Sequence, residues 1–408
     1  MERKEKEYLK ALACRVKEFS VLPEQEEKRN RWKLHNGLKK VRTPVLLFPE
    51  GSWTEIMPDG ELVIDDPLFR GIERELKTRI YYAEKIKDDN VIDDILYSRL
   101  VIEDTGWGIV ENRIRTEDAK GACHFEPVIK EEKDVEKIKM PQVSVDWKAS
   151  EENFQRVSDI FGGILKVEKQ GHLHDWFCIV DSFAVFRGID NLFLDLVERP
   201  EWLHSVFARM TKGINDKFDS LEAQGALSLN NGNQYVGSGG RGYTDELPSA
   251  GFNGRVGTID MWGHATTQIF SLVSPEMHNE FALKYEIQHL SRFGLNCYGC
   301  CEPLHHKMKY IKQIPRLRRV SMSPWVDVAK GAEELEDKYI FSYKPNPAVI
   351  AAEVWNPERV RAGLKDVLEK TRGCVVEFVM KDIHTCRNRP ERLSDWVRIA
   401  IEVAEQEW

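Results

Sequence analysis

Tyr339-Ile340-Phe341-Ser342-Tyr343, then Asn356-Pro357-Glu358, then Val375-Val376-Glu377-Phe378-Val379, then Pro390-Glu391: these stretches set the fold. Each of the two apolar runs has strand length and is followed by a proline–glutamate pair. Proline at a first helical position lacks only an N–H that would have no partner there. The glutamate behind it sits well against the positive end of the helix dipole, and Asn356 reads as an N-cap. The pattern is strand, helix, strand, helix.

Working outward, Pro200-Glu201 and Pro275-Glu276 repeat the helix signature, the second with Ser274 as N-cap. Further apolar runs at residues 44–48, 100–103, 177–180, 226–229, 293–297 and 319–322 bring the candidate strands to eight. Strands alternating with helices predict a parallel α/β architecture. Eight of them in a chain of 408 residues point to a (β/α)8 TIM barrel. The competing open, doubly wound sheet usually carries Gly-x-Gly-x-x-Gly after its first strand, and none follows Phe48. Leu9, Leu12, Ala13, Val16 and Phe19 keep helical spacing, so residues 1–40 read as an N-terminal helical extension to a barrel at 41–408. Alternation at Trp107, Ile109, Glu111 and Arg113 reads as an antiparallel β insertion within residues 105–129.

Composition excludes several classes. Apolar residues make up 42% and charged residues 31%, a globular balance. The 59 basic and 67 acidic residues leave a charge of −8, unlike the basic face of a nucleic-acid binder. No run of about 18 apolar residues suggests a membrane span, and the charged start, Met1-Glu2-Arg3-Lys4, lacks a signal-peptide core. Eight cysteines in a chain this long do not make a disulfide scaffold. A cytoplasmic protein with reduced thiols is the expectation.

In a parallel barrel the chemistry gathers at the C-terminal strand ends. After the fifth run stand Asn296-Cys297-Tyr298-Gly299-Cys300-Cys301-Glu302, and after the last Lys381-Asp382-Ile383-His384-Thr385-Cys386. Three thiols and a carboxylate within six residues suit zinc, with His384 or Cys386 as a further ligand. The same cysteines also fit simple core packing or a redox Cys-x-x-Cys, although that motif usually opens a helix. His172 and His174 point the same way on an extended chain and read as substrate contacts or satisfied structural histidines ahead of metal ligands. His305-His306 falls at a solvated helix. The glycines of residues 232–242 lack a Walker lysine and read as a mobile loop over the site. Trp53, Trp176, Trp262 and Trp325 lie near predicted strand ends and would wall an apolar pocket, the first three in one cavity with His172 and His174.

Leu272-Val273-Ser274-Pro275-Glu276-Met277 with Glu280-Phe281 and Tyr285 resembles the "iSPemfeEF…y" helix of the uroporphyrinogen decarboxylase superfamily. Leu196-Val197-Glu198-Arg199-Pro200-Glu201 resembles its "l…dPe" helix, and Gln224-Gly225-Ala226 its "aGad" strand entry. The segment at residues 297–304 falls where the superfamily carries "H-x-C-G-n…pl". The resemblance spans roughly residues 40–406 and implies a (β/α)8 barrel. The superfamily's decarboxylases hold substrate carboxylates with "RQAGR" after the first strand. Here that place reads Phe48-Pro49-Glu50-Gly51-Ser52-Trp53, which argues against porphyrinogen decarboxylation.

The superfamily's corrinoid-linked methyltransferases take zinc from the His and Cys of "H-x-C-G" and from a later Cys. Asn296 and Tyr298 stand in the first two places here, so a shifted zinc site on Cys300, Cys301 and Cys386 is what the resemblance leaves. It implies a methyltransferase moving a methyl group between a small substrate and the cobalt of a corrinoid on a partner protein, with a homodimer as a further implication. Glu302, His384 and Asp245 are then the expected catalytic groups. His172, His174, Trp176, Trp53, Trp262 and Lys344 are the expected substrate contacts. Two other readings stand beside it: a decarboxylase or lyase holding a small acid with Lys344, Arg187 or Arg241, and a non-catalytic zinc or corrinoid accessory protein.

Overall fold

The last strand of the chain lies beside the first. In the computed structural model, which describes residues 1–115, 123–174 and 176–407, eight parallel strands follow one another in chain order. They are β1 (Val45–Leu47), β2 (Ile95–Arg99), β3 (Lys166–Gln170), β4 (Trp262–Ala265), β5 (Leu295–Tyr298), β6 (Leu317–Met322), β7 (Ile340–Tyr343) and β8 (Val375–Met380). Six form one parallel sheet in the order β1-β8-β7-β6-β5-β4, while among the described residues β2 and β3 pair only with each other.

Among the described residues the closed ladder expected from the sequence is not present, because the two sheets are joined through single bridges and side chains. On one side His172 bridges Leu227 and Phe177 bridges Ala265. Asn230 takes the place of a strand there: its Oδ1 accepts from Trp262 N at 2.8 Å and its Nδ2 donates to Trp262 O at 3.0 Å. On the other side the carboxylate of Asp89 accepts from Val45 N at 2.7 Å and that of Asp88 from Leu47 N at 3.0 Å. A carboxylate that receives a buried N–H satisfies the donor as a neighbouring strand would.

Strand alternation sorts the residues onto two faces. Val320, Met322, Phe341, Phe378 and Met380 face the helices and share the main core with Trp396, Val397 and Ala400. Arg319, Ser342 and Glu377 face inward and are buried. Glu377 is their hub: it accepts from Arg319 Nε at 2.8 Å and Ser342 Oγ at 2.5 Å, and lies 3.0 Å from His35 Nε2. Burial alone would raise its pKa, but Arg319, His35 and Lys344 hold it well below the ordinary carboxylate value.

The N-terminal helices Arg3–Ser20 and Pro23–Asn36 are built into this arrangement. Leu9, Ala13 and Val16 pack on Phe69, Ile72 and Leu76. Trp32 is buried with Leu46 and Val379, and Asn36 Oδ1 accepts from Arg319 Nη2 at 2.7 Å.

Three of the four helix starts match the sequence signature, with Pro200, Pro275 and Pro357 first in their helices, while Pro390 stands one place ahead of its helix. Ser274 Oγ accepts from Met277 N at 3.2 Å, and Asn356 Oδ1 from Arg359 N at 3.0 Å. Several strands differ. Residues 179–180 begin the helix Ile179–Arg187, and β3 lies earlier in the polar sequence Lys-Val-Glu-Lys-Gln. Val101–Asp104 belongs to an antiparallel ribbon with Val143–Asp146, the parallel strand being β2 just before it. The insertion holds a second ribbon, Asn112–Arg115 against Cys123–Glu126; residues 116–122 of that insertion lie outside the described set. Among the described residues no helix is long and apolar enough to cross a membrane.

Candidate functional site: a paired thiol beside a polar cavity

The turn after β5 begins at Gly299, with φ of +87°. A Cβ there would lie 2.3 Å from Leu304 Cδ1, so the turn needs glycine on both conformational and steric grounds. It brings the sulfurs of Cys300 and Cys301 to 3.5 Å. Glu302 turns inward and fastens the turn, accepting from Cys300 N at 3.0 Å and Thr266 Oγ1 at 2.8 Å, and it is fully buried.

Two other segments complete the cluster. Ser238 Oγ donates to Cys300 Sγ at 3.2 Å. Lys381, the residue after β8, places Nζ 3.8 Å from Cys300 Sγ and 3.4 Å from Ser238 Oγ, while Cys301 Sγ lies 3.8 Å from Asp382 Oδ2. The segments after β5 and β8 therefore meet, as their place at strand ends predicted.

Ser238 arrives on the glycine-rich segment, which is not a loop over the site. Residues 236–240 are buried, and a Cβ at Gly240 would lie 2.3 Å from Arg319 Cζ. Glycine is required because this backbone threads through the inside of the sheet.

The electrostatics set the two thiols apart. The hydrogen bond from Cys301, then Lys381 and Ser238, outweigh burial and bring the Cys300 pKa down to about 7. The Cys301 thiol, its proton held in the hydrogen bond with Cys300, is pushed far up. Burial works against the Lys381 ammonium, yet Tyr235, Cys300, Asp382 and Glu50 around it raise its pKa. The site thus holds a thiol poised to ionise, a thiol that stays protonated and a fixed cation.

Trp176 and His264 roof this cluster. Lys381 Nζ lies over the Trp176 ring at 5.4 Å, and the His264 ring meets Trp176 edge-on at 4.8 Å. His264 is buried, with no hydrogen-bond partner of ordinary geometry for either ring nitrogen among the described residues. Burial, reinforced by His174 and Lys381, pushes its pKa down to about 3, so the ring is neutral at pH 7. An unsatisfied buried polar group costs about 1–3 kcal/mol, so the ring nitrogen that does not face the Cys297 backbone is where a ligand's polar atom would gain most.

A cavity of about 640 Å³ lies beyond Tyr235 and His174, lined by both and by His172, Tyr97, Arg99 and Arg241. Tyr235 stacks on His174 with ring centres 6.4 Å apart, and burial pushes its pKa up to about 12, with Lys381 and Cys300 among its charged neighbours. Tyr235 therefore both lines the cavity and feels the charges of the thiol cluster.

Of the expected substrate contacts, the structure brings His172 and His174 to the cavity and Trp176 to the thiol cluster. The others lie elsewhere. Trp53 packs edge-on against Tyr81 and Tyr82 at 5.5 and 6.1 Å. Trp262 is interior packing, donating to Gly242 O at 3.0 Å beneath the Arg319 guanidinium. Lys344 is buried, donates to Ser342 Oγ at 2.5 Å, and is pushed down to about 8 by burial.

The expected catalytic set is likewise dispersed. Asp245 is an 80% exposed partner of Lys33, and its neighbour Glu246 pairs with Arg318 near the start of β6, the end opposite the thiols. His384 is exposed. Arg187 is spent on Asp195, at 2.6 and 3.1 Å.

The donor set read for zinc is not gathered either. Cys386 is buried and donates to Glu55 at 3.1 Å, away from the other two thiols, and Glu302 is consumed by the turn. Among the described residues no three His, Cys, Asp or Glu side chains converge where a metal ion would sit. The residues present do not fit a zinc site of that composition.

Sequence reasoning passed over Lys381, Ser238 and His264. Lys381 carried a signal, a cation directly after a buried strand. Ser238 and His264 carried none, since only the path of the glycine-rich segment and the inward face of β4 bring them in.

No family model matches this sequence, and no curated protein sequence matches it. The fold is similar to that of a methyltransferase from Methanosarcina mazei, with a TM-score of 0.50 and 10% identity, covering 92% of this chain and 98% of that one. The likeness is one of fold.

Proposed function

We propose that this protein is a methyltransferase of the uroporphyrinogen decarboxylase superfamily, a (β/α)8 barrel with two side-chain-bridged seams. In this reading it works in the cytoplasm and moves a methyl group from a small substrate to a corrinoid held by a partner protein. The observation that carries the reading is the Cys300–Cys301 pair with Lys381 Nζ at 3.8 Å, at the strand ends beside a cavity of substrate size. The fold shared with a methyltransferase and the dispersed motifs agree with it.

The corrinoid, when its carrier docks, supplies the cobalt that accepts the methyl group. The chain's own residues act on the other half of the substrate. When a methyl group leaves a heteroatom as a cation equivalent, the bonding pair stays behind and negative charge develops on that atom. The Lys381 ammonium is a fixed donor for that charge in a site walled by Trp176 and Tyr235, where a preorganised donor counts for more than in water. Neutral His264 offers the ring nitrogen that does not face the Cys297 backbone to position the departing group.

The test is transfer to free cob(I)alamin from a panel of methyl thioethers, methylamines and methyl ethers, monitored by its absorbance change. We expect turnover with one class, and a fall of at least about 100-fold in Lys381→Met, the range seen when a charge-stabilising donor is removed. Release of CO2 from a small acid without methyl transfer would replace this reading with that of a lyase.

A further inference from the structure

The cavity carries a charge arrangement that the methyl-transfer reading does not use. Three guanidinium groups line it, Arg79, Arg99 and Arg241, against two carboxylates, Glu75 and Asp93. Arg79 is committed to both carboxylates, with Nη2 2.5 Å from Glu75 and Nη1 3.3 Å from Asp93. Arg241 is held by Asn90 Oδ1 and Asn233 O and has no acidic partner among the described residues. Arg99 has neither a hydrogen bond nor an ion pair among the described residues, and it is exposed at the cavity rim.

Register places Arg99 opposite something useful. It is the last residue of β2, and its Cα partner on β3 is Gln170. Register partners face the same side of a parallel pair, and alternate residues continue that face. Arg99, Gln170, His172 and His174 therefore form one polar row into the cavity, with Tyr97 behind Arg99 and Tyr235 at the far end.

We infer that this cavity is the binding site for a small monocarboxylate with a flat apolar body, its carboxylate held by Arg99 and its other end directed past Tyr235 to Cys300 and Lys381. The excess of one positive charge matches a monoanion; a phosphate dianion would overshoot it. A free guanidinium presents the planar fork that pairs with a carboxylate through two parallel hydrogen bonds. The tyrosines supply flat walls for the body of the ligand. This rests on taking the thiol cluster as the reacting end, and it names the substrate class that end would receive.

The experiment is calorimetric titration of the purified full chain with benzoate and 3-phenylpropionate, each against its own amide. We expect at least one acid to bind about tenfold or more tightly than its amide, as a charge-assisted pair requires. Arg99→Leu should erase that preference at an unchanged melting temperature, and Arg99→Lys should keep part of it. Equal binding of acid and amide, no binding of either acid, or a preference that survives Arg99→Leu overturns the inference. Acid binding without any methyl transfer overturns the proposed reaction instead, so the two fail separately.

Discussion

Replacing Cys301 with alanine tests whether one thiol tunes the other. In the folded protein Cys300 titrates at about 7 against an ordinary value of 9.0, and the hydrogen bond from Cys301 is the largest cause. At pH 7 a thiol with that pKa is about half ionised, whereas one at the ordinary value is about 1% ionised, a difference of roughly fiftyfold in thiolate. Intrinsic nucleophilicity moves the other way, with a Brønsted coefficient of about 0.4–0.5, which returns a factor of roughly six to ten over two pH units. The alkylation rate of Cys300 at pH 7 should therefore fall by about five- to eightfold if the whole shift is lost. Lys381 and Ser238 remain beside the sulfur, so this is the upper bound. The assay is timed labelling with iodoacetamide across pH 5.5 to 10, read on the peptide that carries residues 300 and 301. The midpoint of the rate profile should move upward in Cys301→Ala. A midpoint that stays near 7 refutes the reasoning and assigns the shift to Lys381 and Ser238. A parent midpoint near 9 refutes the site's electrostatics altogether.

Two further outcomes concern the frame of the site. Glu377→Ala leaves Arg319 buried and uncompensated, and should cost about 3–5 kcal/mol in urea unfolding, with Glu377→Leu/Arg319→Met costing much less; a loss below about 1 kcal/mol would contradict the hub role. Glu286, buried and accepting from Thr267 and Tyr298, is pushed up to about 8 by burial. The folded state thus keeps a proton that the unfolded state has lost, and stability falls as pH rises from about 4.5 to about 8. Glu286→Gln should remove that part of the slope, so the melting-temperature difference, parent minus variant, should decline across this window; a difference independent of pH would refute it.

Much of the architecture was legible in the chain because it is local. The proline–glutamate pairs and the caps at Ser274 and Asn356 act within one helical turn, and both caps form. The runs that became β5 to β8 are buried on both faces, so their apolar or β-branched residues show without knowledge of their neighbours. Strand β3 escaped notice because its sequence, Lys-Val-Glu-Lys-Gln, belongs to a pair flanked by a polar cavity. Strand β4, Trp-Gly-His-Ala, is short and carries an inward histidine, so it lacks the look of a strand.

The sequence alone determined that the segments after β5 and β8 hold the thiols and the cation, since parallel strands deliver their trailing loops to one end. Only the tertiary structure decided which of those residues share a site. Cys386 and Lys381 stand five positions apart on one irregular segment, yet Lys381 reaches Cys300 while Cys386 turns to Glu55. A non-helical, non-extended segment has no fixed period, so spacing cannot say where its side chains point. The same holds for Arg99, an unremarkable charge in the sequence. Its meaning comes from register against β3 and from the absence of an ion-pair partner among the described residues, both properties of how distant segments meet.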